Sequence, residues 1–138
     1  MLRENDATMT NKYQHILIID EENEGLVAIL KEETVGKVTM ARQGSVWSGL
    51  QYLEKLHSKT DFPDLVILSW DSSSKDAERF LKIYQATFYL RHPKTQIILV
   101  SQESQLLQLK RTLGYQFIKT ILPNPLPTHL LQQALLVA

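Results

Sequence analysis

Polar residues close four apolar runs in this chain. Asp20 and Glu21 follow His15-Ile16-Leu17-Ile18-Ile19, Ser69 follows Leu65-Val66-Ile67-Leu68, Ser101 follows Ile97-Ile98-Leu99-Val100, and Asn124 follows Ile121-Leu122-Pro123. Two adjacent carboxylates are the hard oxygen ligands that divalent cations such as Mg²⁺ take. The hydroxyls of Ser69 and Ser101 donate and accept hydrogen bonds, while Asn124 brings an amide and no charge. A serine is a weak nucleophile without a base beside it. None of the histidines, at positions 15, 57, 92 and 129, falls at a neighbouring run end, and their spacing is not that of metal ligands. The set is therefore equipped to bind rather than to transfer a group. The plain reading of Asp20 and Glu21 is a pair of solvated acids, and that of Ser69 a hydroxyl satisfying nearby backbone groups. Asp71 reads as a loop or capping residue. No metal site and no cofactor is expected.

The apolar runs are short and rich in β-branched residues, as strands buried on both faces are. Strands are expected at 15–20, 37–42, 64–69, 96–101 and 117–122. Between them, apolar residues recur at helical spacing. Leu26, Val27, Ile29 and Leu30 give a short helix over 23–34, ended by Gly36. Val46, Trp47, Leu50, Leu53 and Leu56 give one over 45–58, with Trp47 read as core or half-buried. Phe80, Leu81, Tyr84 and Phe88 give one over 76–91, closed by Pro93. Ser104 can cap a helix to Leu113 that Gly114 ends, and 128–137 is a closing helix framed by Pro123 and Pro125. Five strand–helix alternations imply an α/β fold with a parallel sheet covered on both faces. In such sheets a site lies beyond the carboxyl ends of the strands, and that rule selects Asp20, Glu21, Ser69, Ser101 and the turn at Asn124.

The 138 residues suffice for one domain over 14–138, with 1–13 read as a flexible polar tail. The 15 basic and 15 acidic residues cancel, which argues against a nucleic-acid partner held by counterion release. No apolar run approaches the roughly 18–20 residues of a membrane span, so no membrane partner is expected. There is no cysteine, hence no disulfide or thiolate chemistry, and a cytoplasmic location is expected.

The order of these residues resembles the response-regulator receiver family. The paired acids stand at Asp20-Glu21, the A-x-x-G leading into the second helix at Ala41-Arg42-Gln43-Gly44, the hydroxyl after the fourth strand at Ser101, and the proline after the fifth at Pro125. The resemblance implies a flavodoxin-like fold of five parallel strands in the order 2-1-3-4-5 with five helices. It also implies a phosphoacceptor aspartate and a lysine where this chain has Ser69 and Asn124. The usual Met-Pro after the acceptor is replaced by Ser72-Ser73. Receivers load a phosphoryl group on the missing carboxylate, with Mg²⁺ between acids and phosphate. The two losses compensate in charge: three carboxylates and one ammonium sum to −2, as do two carboxylates beside neutral Ser69 and Asn124. Unit charges 4 Å apart interact by about 4 kcal/mol at an effective dielectric of 20, so losing one partner alone would disturb the site more than losing both.

Such degenerate chains are called pseudo-receivers, and Ser69-Trp70 with Asn124-Pro125-Leu126 is similar to those attached to cyanobacterial circadian input kinases. The implied function is protein–protein signalling without phosphorylation and without enzymatic activity. The implied partner is another signalling protein: a kinase, a regulator or a clock-type component. The family's usual contact surface corresponds to 104–137. Leu106, Gln108 and Leu109 are candidate contacts there, and Trp70 and Asp71 at the strand end; a homodimer is compatible with either. Two rivals stand beside this reading: an atypical receiver phosphorylated on Asp71, and a small ligand-binding or enzymatic flavodoxin-like domain. Against the latter, Glu21, Glu22 and Glu24 follow the first strand where a phosphate loop would need glycines.

Overall fold

The computed structural model describes residues 10–20, 25–34, 36–70, 76–102, 114–124 and 126–137. In chain order these form β1 (Thr10–Asn11), β2 (His15–Ile19), α1 (Gly25–Glu33), β3 (Thr39–Gln43), α2 (Val46–Leu56), β4 (Leu65–Trp70), α3 (Asp76–Thr87), β5 (Gln96–Gln102), β6 (Ile118–Asn124), α4 (Thr128–Leu135) and β7 (Leu136–Val137). Five strands make one parallel sheet in the order β3-β2-β4-β5-β6. Counting the sequence-predicted strands alone, this is the expected 2-1-3-4-5. The predicted helix over 104–113 lies outside the described residues.

Side chains alternate across each strand, and both faces are covered. Leu17, Ile19, Val66, Leu68, Ile97 and Leu99 pack against α2 and α3 through Val46, Leu53, Phe80, Leu81 and Tyr84. Ile16, Ile18, Leu65, Ile67, Ile98 and Val100 pack the other way, against Leu30 of α1 and Leu131, Ala134 and Leu135 of α4. Helix α2 starts where Ser45 takes an extended N-cap conformation and accepts from Ser48 N–H at 3.0 Å, while Ser48 Oγ accepts from Ser45 N–H at 3.3 Å. This reciprocal capping satisfies two orphan donors of the first turn. Pro123 is tolerated inside β6 because that strand is an edge of the sheet.

Three expectations need correction. Trp47 is 46 % exposed. It shares a helix row with the exposed Gln51 and Glu54, one position off the Val46–Gly49–Leu53 stripe that faces the sheet. Residues 10–13, expected within a flexible tail, are part of the fold. Thr10 and Asn11 pair antiparallel with Val137 and Leu136, Lys12 N–H donates to Leu135 O at 2.7 Å, and Tyr13 is buried. For the same reason the closing helix ends at Leu135, and the next two residues are strand.

His57 at the α2 C-cap and His92 after α3 meet, although 35 residues separate them. His92 Nε2 lies 2.8 Å from the His57 carbonyl, which can only accept, so the Nε2 proton belongs to His92. The same nitrogen is 3.2 Å from His57 Nδ1, which must then be the unprotonated partner. Phe62 stacks on His92 at 3.6 Å, and Phe88 meets His57 edge-on at 5.0 Å. Desolvation first, then the nearby Arg91 and His92 charges, hold the His57 pKa below its usual 6.5, against the pull of Glu54. The unfolded chain thus binds the proton more readily. The staple contributes fully above about pH 6.5, and its contribution is lost as pH falls towards the lowered value. Urea midpoints measured from about pH 7 down to about pH 5 should fall more steeply for the natural chain than for His57→Gln; parallel profiles would show that the pair does not titrate this way.

Tyr84 is buried to its hydroxyl, and that oxygen has no hydrogen-bond partner among the described residues. The neighbouring Thr95 hydroxyl donates to Pro63 O at 2.7 Å. Burial raises the phenol pKa, outweighing the opposing effect of Thr95. An unpartnered buried hydroxyl costs about 1–3 kcal/mol, so Tyr84→Phe should leave stability unchanged or raise it by about 1 kcal/mol in chemical denaturation.

Candidate functional site

The register of the sheet brings the ends of the apolar runs to one edge. Ile19 pairs with Leu68, so Asp20 stands level with Ser69 on the next strand. Ser69 pairs with Val100 and Trp70 with Ser101, while Ser101 pairs with Pro123 and Gln102 with Asn124. Neighbouring strands lie about 4.8 Å apart, so Asp20, Ser69 and Ser101 fall along roughly 10 Å of the carboxyl edge. Asp20 is 7 % exposed and Ser101 1 %, whereas Ser69 is half-buried. Trp70 and Asn124 occupy the last positions of β4 and β6. Glu21, Asp71, Ser72, Ser73, Pro125, Leu106, Gln108 and Leu109 lie outside the described residues.

Asp20 is held through its backbone on both sides. Its N–H donates to Gln43 O at 3.1 Å, which extends the β2–β3 ladder by one rung. Its carbonyl accepts from Arg42 Nη2 at 2.7 Å. Arg42 pairs with Ile18 across the ladder, and its side chain runs along the strand to reach the residue two further on. Arg42 Nε is buried and has no hydrogen-bond partner among the described residues.

The edge thus carries a buried carboxylate, two hydroxyls and a guanidinium. Among the described residues no three His, Cys, Asp or Glu side chains gather as metal ligands, and no helix is long and apolar enough to cross a membrane. Arg42 is the residue that sequence reasoning missed. It figured only as a filler of A-x-x-G, yet its alternation with Met40, which packs on the α1 side, puts a charge on an inward face at a strand end.

No family model matches the chain, and no curated protein does. Solved structures do match in fold. A response regulator receiver domain protein from Clostridium thermocellum is 18 % identical, with 88 % of this chain and 90 % of that one covered, at a TM-score of 0.66. The phosphorylated cyanobacterial phytochrome response regulator RcpA is 12 % identical, covering 88 % of each chain at a TM-score of 0.65. A chain named as the adenylate cyclase from Rhodopirellula baltica is 14 % identical, with 88 % and 83 % covered at a TM-score of 0.67. The chain has the flavodoxin-like fold of receiver domains.

The position of Asp20 also depends on how closely α2 approaches β2. A Cβ on Gly49 would lie 2.5 Å from Ile19 Cδ1 and 2.9 Å from Cγ1, so any larger residue there requires the Ile19 side chain or the helix to shift. Gly49→Ala should cost about 1–3 kcal/mol in a urea titration, because the helix or Ile19 must shift. An unchanged midpoint would mean that Ile19 turns aside without strain.

Proposed function

We propose that this chain is a pseudo-receiver: a signalling module that binds another signalling protein and does so without accepting a phosphoryl group. The observation that carries the reading is Ser69. It holds the carboxyl end of β4, level with Asp20 and one rung from Ser101, in a chain with the receiver fold. A carboxylate at that position is what forms the acyl phosphate in receivers, and a hydroxyl with no base beside it does not substitute. Asn124, at the end of β6, cannot supply the cation that meets a phosphate.

The partner is a kinase, a regulator or a clock-type component, and the chain has no enzymatic activity of its own. The contact surface includes β6 and α4, with the stretch 104–113 completing it. The cytoplasm is the compartment in which such partners work.

The experiment is incubation with acetyl phosphate and Mg²⁺, read by intact mass and by amide spectra, with beryllofluoride in parallel. The expected result is no base-labile adduct and no shift with beryllofluoride. Stoichiometric labelling at Asp71 would overturn the reading in favour of a receiver with a displaced acceptor.

A further inference from the structure

We propose that Arg42 is the resident cation of the sheet's carboxyl edge, and that its guanidinium takes the place of a divalent metal ion beside Asp20. The inference builds on the pseudo-receiver reading only in its choice of Mg²⁺ as the metal tested.

The residues present do not fit Mg²⁺ well. That ion demands near-octahedral oxygen ligation and releases its water reluctantly, so it needs carboxylates arranged around it. The end of β4 offers the neutral Ser69 instead of an acid. The backbone carbonyl of Asp20 already accepts a charged hydrogen bond from Arg42 at 2.7 Å. A dication brought to this strand end would meet a fixed positive charge as well as a reduced set of ligands.

Three observations support a charge-bearing role over mere packing. The guanidinium is delivered along the strand to a carbonyl at the site rather than out to solvent. Arg42 Nε is itself buried, with no hydrogen-bond partner among the described residues, so the charged group is drawn into the strand end. The sequence then places Glu21, Glu22 and Glu24 within four positions after Asp20, so three further acids follow the residue that Arg42 grips. Arginine suits the task because it stays charged and offers five donors in a fixed fork. Its charge also stands at the opposite side of the site from Asn124, since β3 and β6 are the two edges of the sheet. Arg42 is therefore a positioning residue, holding the acidic strand end without metal.

The test is Mg²⁺ affinity of the whole chain, measured by calorimetry. Mn²⁺ broadening of the Asp20 and Ser69 amide signals serves as a local readout. Arg42→Met removes the charge and keeps the length, and Arg42→Lys keeps the charge. The natural chain and Arg42→Lys should show weak Mg²⁺ binding, while Arg42→Met should bind about tenfold more tightly, with Mn²⁺ broadening at Asp20. If Arg42→Met does not fold, Arg42→Gln is read in its place. Equal Mg²⁺ affinity in the natural chain and the neutral variant would overturn the proposal, as would tight binding by the natural chain with broadening at Asp20. Either result leaves the phosphodonor experiment untouched, and labelling at Asp71 there would leave the role of Arg42 standing.

Discussion

Burial of both faces of the central strands is the constraint on which the rest depends. Every residue from Ile16 to Ile19, from Leu65 to Leu68 and from Ile97 to Val100 is shielded from water. Neither face offers a polar side chain an inexpensive place, since an unpaired polar group costs free energy wherever water cannot reach it. Polar residues are therefore pushed to the strand ends, and the parallel register stacks those ends along a single edge. The site follows from the core: Asp20, Ser69 and Ser101 are neighbours because apolar residues fill the rungs before them.

The same constraint explains what could be read from the sequence. Strands buried on both faces are continuous apolar runs, so their positions, parallel order and polar ends were legible from Ile16 to Leu122. The closing positions of each element were less so. Gln102, Pro123 and Asn124 are strand because a neighbour pairs with them, and nothing local marks that. Trp47 was misplaced because a helix whose buried stripe runs through a glycine hides its own period. Gly49 contributes to the tight approach on Ile19 but adds no apolar signal. The tail was misread because Thr10 and Asn11 are ordered by residues more than 120 positions away. The meeting of His57 with His92 is likewise a product of α2 and α3 lying side by side, and spacing along the chain carries no trace of it.

The charge balance of the edge also looks different once the side chains are in place. Counting only the positions of the receiver pattern, the exchange of an acid and a lysine for Ser69 and Asn124 leaves the sum unchanged. Arg42 adds a positive charge from β3, a strand that does not figure in that count. Electrostatic bookkeeping by motif alone therefore omits a group whose guanidinium touches the site. The backbone of Asp20 is fixed from β3 at both its N–H and its carbonyl.

The ribbon of β1 and β7 has a consequence for the order in which the molecule is completed during synthesis. Thr10 leaves the ribosome well before Val137, the residue it pairs with. The face packed by α2 and α3 draws its buried residues from Leu17 to Ile118, and so it can close before α4 has emerged. The opposite face cannot, because Leu131, Ala134 and Leu135 belong to it, together with Tyr13. A nascent chain therefore carries one finished side and one open side, with Tyr13 uncovered until the last helix emerges to meet it.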